Sequence, residues 1–286
     1  MSTQTPKPPW FRRRLPAAGQ SARVFELLSD LTLHTVCQEA HCPNQMECFG
    51  RGTATFLLLG PNCTRRCTFC AVEKNSVSPP NETEPERCAQ AVARMKLNYC
   101  VLTMVTRDDL PDGGADHVAR TICAVKEKCP DVELEVLISD FKGNQTALNT
   151  IIQARPDVLN HNVETVSRLY SKVRPQADYQ RSLDILARAN AAAPRPATKS
   201  GLMLGLGETL EEVAQVMDDL RASGCDLLTL GQYLSPSKNH HPVVEYIPPE
   251  IFDRLKELAL EKGFIDAASG PYVRSSYQAE QLLKPA

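Results

Sequence analysis

From residue 53 onward the chain alternates short runs of consecutive apolar residues with longer stretches in which apolar residues recur every three to four positions. The runs at 53–59, 99–105, 133–138, 158–161, 200–204 and 226–230 have the length and continuity of strands buried on both faces. Between them, the stretches near 86–96, 116–128, 145–154, 165–172, 179–192 and 208–223 read as amphipathic helices, and a further one spans 249–262. Six strand–helix repeats in this order predict a parallel sheet with right-handed crossovers, closed wholly or partly into a barrel. Folds of this kind carry their chemistry at the C-terminal ends of the strands. Upstream, Val24, Leu27, Leu28 and Leu31 give residues 21–33 a helical spacing. Residues 1–19, rich in Pro, Gln, Lys and Arg without an apolar period, read as a tail or a strapped-down arm. Its one distinctive feature, Trp10-Phe-Arg-Arg-Arg14, is either a solvated basic arm or a dock for an acidic partner.

Three of the predicted strand ends carry polar groups. T-R-D-D-L-P-D-G-G occupies 106–114, N-H-N-V-E occupies 160–164, and G-L-G-E occupies 205–208. Each alone is an ordinary polar turn. Their convergence on one rim of a barrel makes them a candidate site.

A fourth strand end carries cysteines. Cys63, Cys67 and Cys70 are spaced C-x3-C-x2-C directly after the first predicted strand, and Cys37, Cys42 and Cys48 precede it as C-x4-C-x5-C. Each triplet supplies three soft thiolates, one fewer than a closed metal site or cubane cluster takes, so each leaves a position open for chemistry. Structural zinc sites favour paired C-x2-C motifs, which neither triplet provides. The segment C-T-R-R-C-T-F-C at 63–70 resembles the signature of the radical S-adenosylmethionine (SAM) enzymes. That resemblance implies a [4Fe–4S] cluster with one iron free to chelate SAM, and a strand-end glycine motif beside adenine, which G-L-M-L-G-L-G-E at 201–208 fits with Met203 in the usual Ile position.

Composition narrows the field. At 286 residues with a net charge of −2, the chain is long enough for one large domain and lacks the basic field that nucleic acid requires. Eleven cysteines without an apolar leader point to a reducing, cytoplasmic compartment in which thiols act as ligands. No apolar stretch approaches the roughly 18 residues of a membrane span. The scattered Cys88, Cys100, Cys123, Cys129 and Cys225 are expected to be buried small hydrophobes.

The chain as a whole resembles one family, lipoyl synthase, from about residue 37 to 277. The likeness is carried by E-A-H-C-P-N (39–44), G-T-A-T-F (52–56), the 63–72 cysteine segment, R-D-D-L-P-D-G-G-A (107–115), N-H-N-V-E-T (160–165), K-S-G-L-M-L-G-L-G-E-T (199–209), G-Q-Y-L (231–234) and R-S-S-Y (274–277). It implies a partial (β/α)6 TIM-like radical SAM barrel over 51–268. An N-terminal extension over 1–50 and a C-terminal segment over 269–286 would carry an auxiliary iron–sulfur cluster. By this resemblance Cys63, Cys67 and Cys70 hold the SAM-binding cluster; Cys37, Cys42 and Cys48 hold the auxiliary cluster, whose fourth ligand is Ser276, with Ser275 as the alternative. Phe69 is expected near adenine, Asn162 and Glu164 near the ribose hydroxyls, Gly205 at the adenine strand end, and Arg181 either near the SAM carboxylate or in a surface ion pair. The implied substrate is an octanoyl chain on a lysine of a lipoyl carrier domain or glycine-cleavage H protein. Sulfur enters at C6 and C8, donated by the auxiliary cluster. The implied partners are a ferredoxin- or flavodoxin-type reductant and an iron–sulfur carrier that rebuilds the spent cluster. His240 falls where the family has a histidine and reads as loop scaffolding.

Pro61-Asn62, Met104 and Ser139 depart from the family pattern without removing a ligand, and so bear on supporting contacts only. Two other readings use the same cysteines. One is a biotin-synthase-like sulfur-inserting enzyme, disfavoured by the N-terminal triplet; the other is a non-enzymatic iron–sulfur carrier or zinc-stabilised module, which needs no SAM rim.

Overall fold

The computed structural model describes residues 6–12 and 20–282. Most of the expected basic arm, including Arg13 and Arg14, lies outside the described residues. Helix α1 (Gln20–Asp30) leads to a two-residue strand β1 (His34–Thr35) and then to the short helices α2 (Val36–Glu39) and α3 (Gln45–Gly50), which hold the first cysteine triplet. The periodic part of the chain follows as β2 (Thr55–Leu58), α4 (Glu84–Met95), β3 (Tyr99–Met104), α5 (Ala115–Lys128), β4 (Glu133–Leu137), α6 (Gln145–Gln153) and β5 (Val158–Asn160). It continues with α7 (Tyr170–Val173), α8 (Tyr179–Asn190), β6 (Ala197–Leu204), α9 (Leu210–Ala222), β7 (Leu227–Gln232), α10 (Pro249–Glu261) and β8 (Asp266–Gly270).

Among the described residues eight strands form one sheet in chain order; β1 is antiparallel to β2, and every later neighbour is parallel. Six β/α units, β2 to α10, match the expected barrel, and β8 adds a strand that the apolar pattern did not predict. Its sequence, Asp-Ala-Ala-Ser-Gly, has no branched apolar residue, so only its backbone pairing with β7 reveals it. This strand runs through residue 268, where the barrel was expected to end. The single helix expected over 165–172 divides into a 3₁₀ turn, Ser167–Leu169, and α7. The edge strands β1 and β8 pair with one neighbour each, so the barrel stays open along one side.

Local chemistry sets the element boundaries. Asn144 caps α6 through the Ala147 amide, Asp178 caps α8 through Arg181, and Thr209 with Glu212 forms a capping box on α9. Outward strand residues such as Phe56, Leu58, Leu102, Val136 and Leu159 pack against the helices as the main core. The other face is polar at its centre. Thr55 registers with Val101, Val101 with Glu135, and Asn160 with Lys199, placing these side chains toward the barrel interior. There Lys199 Nζ bonds both Glu135 oxygens at 2.8 and 3.0 Å, and Tyr99 OH and Asn160 Nδ2 complete the carboxylate's shell. A buried ion pair so fully hydrogen-bonded specifies one arrangement of four strands more than it adds stability.

Cys88, Cys100 and Cys225 are buried as expected, and Cys129 is half-buried against the core. Cys123 is exposed, contrary to expectation, because Val118, Ile122 and Val125 take the inward stripe of α5. Among the described residues no helix is long and apolar enough to cross a membrane.

Candidate active site

Cys63, Cys67 and Cys70 lie on the loop after β2, which backbone bonds join to three other segments. Thr64 N donates to Thr106 O (3.0 Å), Thr68 N to Val173 O (3.0 Å), and His241 N to Thr68 O (2.9 Å). The loop is therefore attached to the segment following β3, the end of α7 and the segment following β7. Arg65, between the first two cysteines, is 5% exposed and reaches inward. It holds Asp108 in a two-pronged pair (2.7 and 3.0 Å) and Asp140, past β4, at 2.5 Å. Burial alone would raise the Asp140 carboxyl, but the Arg65 guanidinium outweighs it and keeps the group well below the usual carboxylate range. Arg181 bonds the second Asp140 oxygen at 3.2 Å, so the structure places this expected SAM-carboxylate residue in an ion pair.

Burial, reinforced by the neighbouring thiols, pushes Cys70 to about 12 and also raises Cys67, which the Arg174 charge partly offsets. Such thiols ionise near neutral pH only when a soft cation takes up the charge. A metal-bound cluster meets that need.

The rest of the rim is polar. Glu164 has a left-handed φ of 63° and is stitched to β6 by Glu164 N to Gly201 O and Met203 N to Glu164 O, both 2.9 Å. Asn162 Nδ2 donates to Glu164 Oε1 at 3.1 Å, and Arg174 Nη1 donates to the carbonyls of Asn162 and Val163. Burial raises the Glu164 carboxyl, with Arg174, Asn162 and Arg274 pulling it back. Asn162 Oδ1, His161 Nε2 and Arg174 Nε are buried with no partner among the described residues. Buried polar atoms without partners are uncommon, and two at the end of β5 with a third on the neighbouring Arg174 leave hydrogen-bonding capacity unused at the rim. Burial keeps His161 neutral, with its pKa down at about 4. Gly205, at φ 93°, leaves room that a Cβ would contest with the Gln232 side chain and the Glu245 carbonyl. The Glu208 carboxylate binds the Gly205 and Leu206 amides there. Phe69 packs, partly buried, on the second core cluster. His240 bonds Ser237 Oγ, whereas His241 bonds the Leu206 carbonyl and the cysteine loop. Sequence reasoning missed Arg65, Asp140 and His241, whose partners lie far away in the chain, and Arg174, which turns back on the carbonyls of Asn162 and Val163.

The first triplet faces a second hollow. Cys37, Cys42 and Cys48 line it together with Tyr99, Arg274 and Ser276; Ser275 is not on its wall. Burial, with mutual repulsion among the thiols, raises Cys37 to about 11 and Cys48 to about 12. Among the described residues no three His, Cys, Asp or Glu side chains converge on a single metal-ion position. In a [4Fe–4S] cluster each thiolate takes its own iron, so spaced thiols around a hollow suit it. Arg274 also acts on Glu164, so its charge reaches both the hollow and the rim.

The profile of the radical SAM superfamily matches residues 57–220. Among solved structures, SuiB of Streptococcus suis bound to S-adenosylmethionine aligns over 72% of this chain and 46% of its own, with a TM-score of 0.58 at 11% identity. The chain thus spans under half of SuiB. Methylornithine synthase aligns over 85% of this chain and 77% of its own, with a TM-score of 0.55 at 15% identity. At these identities the likeness is one of fold. The sequence relatives are far closer. The lipoyl synthase of Caldicellulosiruptor saccharolyticus is 55% identical over 98% of this chain and 99% of that protein. Those of Desulfotalea psychrophila and Trichlorobacter lovleyi are 53% and 56% identical, over 98% and 96% of this chain and 94% and 97% of theirs. Identity above one half, sustained across essentially the whole length, shows that the chain belongs to the lipoyl synthase family of radical SAM enzymes.

Proposed function

We propose that the chain inserts two sulfur atoms, at C6 and C8, into an octanoyl group carried on a lysine of another protein, using SAM and two [4Fe–4S] clusters. The observation that carries this reading is the pairing of two thiol triplets with two different surroundings: a SAM-type rim for one, and a serine-containing hollow for the other. Cys63, Cys67 and Cys70 would hold the SAM-binding cluster, and Cys37, Cys42, Cys48 and Ser276 the auxiliary one. When bound, the first cluster supplies the electron that cleaves SAM to a 5′-deoxyadenosyl radical, and the second supplies the sulfur.

The chain's own residues hold and orient. The Arg65 pairs fix the cysteine loop over the strand ends, so that SAM meets a pre-set site. Asn162 Oδ1 would accept a hydrogen bond from a ribose hydroxyl, and Glu164 adds a carboxylate beside it. Gly205, whose missing side chain admits Gln232 and the Glu245 carbonyl, would hold the turn at the end of β6 beside adenine and Phe69. Arg181 would reach the SAM carboxylate by exchanging its Asp140 pair for the ligand. The hydroxyl of Ser276 is a weak ligand for iron beside thiolates, suited to leaving when sulfur is withdrawn. In this arrangement residues 1–50 and 269–286 form extensions to a barrel over 51–268, the second beginning within β8. The substrate would be presented by a lipoyl carrier domain or H protein, electrons by a ferredoxin- or flavodoxin-type donor, and replacement clusters by an iron–sulfur carrier, in the cytoplasm.

Anaerobically reconstituted protein with SAM, dithionite and an octanoyl-lysine peptide tests the reading. Mass spectrometry is expected to find the peptide gaining two sulfur atoms and SAM cleaved. Cleavage without sulfur gain over many hours would overturn it.

A further inference from the structure

We infer that Asn44 and Glu47 clamp the C-terminal segment at two points, so that Ser276 is positioned by its neighbours and its hydroxyl alone can come and go. The inference rests on the reading that Ser276 faces the auxiliary irons. Both residues belong to the first cysteine segment: Asn44 lies between Cys42 and Cys48, and Glu47 immediately precedes Cys48. Asn44 is 1% exposed, and its Nδ2 donates to Tyr272 O at 2.7 Å. Tyr277 OH donates to Glu47 Oε1 at 2.7 Å. These anchors bracket Ser276, one upstream and one on the adjacent residue. Between them the backbone closes a turn, with Tyr277 N bonded to Arg274 O at 3.0 Å, which presents Ser276 at the third position of the turn.

Two further features hold the start of the segment. Tyr272 OH donates to Phe11 O at 2.6 Å, with the rings 5.4 Å apart, so the N-terminal arm lies against the same residue. On the sheet side, a Cβ at Gly231 in β7 would collide with the Val273 carbonyl. Glycine at 231 is therefore what admits the segment alongside β7. None of these contacts uses Ser276. A rotation about its Cα–Cβ bond removes the oxygen from the hollow without disturbing any anchor, which is how a ligand leaves on every turnover while the chain stays in register.

Hydrogen–deuterium exchange of the reconstituted protein tests this, read on peptides covering 271–282 alongside Mössbauer spectra of the auxiliary cluster. Ser276→Ala is expected to leave exchange unchanged and to alter the spectrum of one iron. The double variant Asn44→Ala/Tyr277→Phe is expected to raise exchange in the segment by about tenfold or more, as loss of two hydrogen bonds predicts, and to reproduce the altered spectrum. Tyr277→Phe alone, which removes one hydroxyl, carries the same test if Asn44→Ala prevents folding, with a smaller rise expected. Unchanged exchange in both clamp variants, or a comparable rise in Ser276→Ala, would overturn the clamp. Faster exchange in the clamp variants with an unaltered auxiliary spectrum throughout would retain the clamp and remove Ser276 from the iron, which separates failure of this inference from failure of the reading beneath it.

Discussion

Arg65 and Asp140 form a buried ion pair at 2.5 Å that fastens the SAM-type cysteine loop to the end of β4. Seventy-five residues separate them, and neither side chain is reachable by solvent to any useful extent. Breaking such a pair from one side leaves a buried charge uncompensated.

Asp140→Ala is accordingly expected to lower stability by about 3–5 kcal/mol, moderated by the remaining Asp108 pair, and to reduce iron loading at Cys63, Cys67 and Cys70 before loading at the other triplet. The pair's contribution depends on pH with a definite sign. The folded carboxyl is held below its ordinary value, so the stabilisation is complete above about pH 4 and is lost as pH falls through the depressed folded value. Urea midpoints of the protein before cluster loading, measured for both forms, should differ fully at pH 7 and converge in acid. A gap that stays constant down to pH 2 would refute this account.

Removing Cys63, Cys67 and Cys70 together is expected to halve the iron, from about eight to about four atoms per chain, and to abolish SAM cleavage with the remaining cluster spectroscopically intact. The complementary change, Cys42→Ala, leaves SAM cleavage and hydrogen abstraction in place and stops sulfur transfer. Iron analysis and product masses distinguish the two. Four iron atoms in the parent protein, or zinc in their place, would end the two-cluster reading.

Ser276→Cys places a tighter ligand where a weak one is needed. Full iron content with most sulfur insertion lost is the expected result. Ser275→Cys, on a residue that does not line the hollow, is expected to be close to neutral. The opposite ranking in a turnover assay would move the ligand one residue back.

Glu164→Gln removes a charged acceptor from the rim while keeping its shape. A hydrogen bond to a charged group contributes roughly 1.5–3 kcal/mol, so SAM affinity should fall by about ten- to a hundredfold with both clusters assembled. Equilibrium binding of SAM to the reconstituted variant measures this directly, and an unchanged affinity would show that the 160–164 segment does not touch the cofactor.

The strands β2 to β7 and the helices that follow them were legible in the sequence because their apolar residues recur at the periods of buried strands and amphipathic helices, and periodicity is a local property. The triplets at 37–48 and 63–70 were legible for the same reason, since thiol spacing is carried by the chain itself. The strand β8 was not, because Asp266-Ala-Ala-Ser-Gly270 is defined by its hydrogen bonds to β7 and not by its side chains. The convergence of Arg65, Asp108, Asp140 and Arg181, the unpartnered atoms of Asn162 and Arg174, and the presence of Ser276 rather than Ser275 on the wall shared with Cys37, Cys42 and Cys48 depended on the tertiary structure. Each joins segments many residues apart, and a pairing across such distances follows from how the elements pack against one another, which spacing along the chain does not encode.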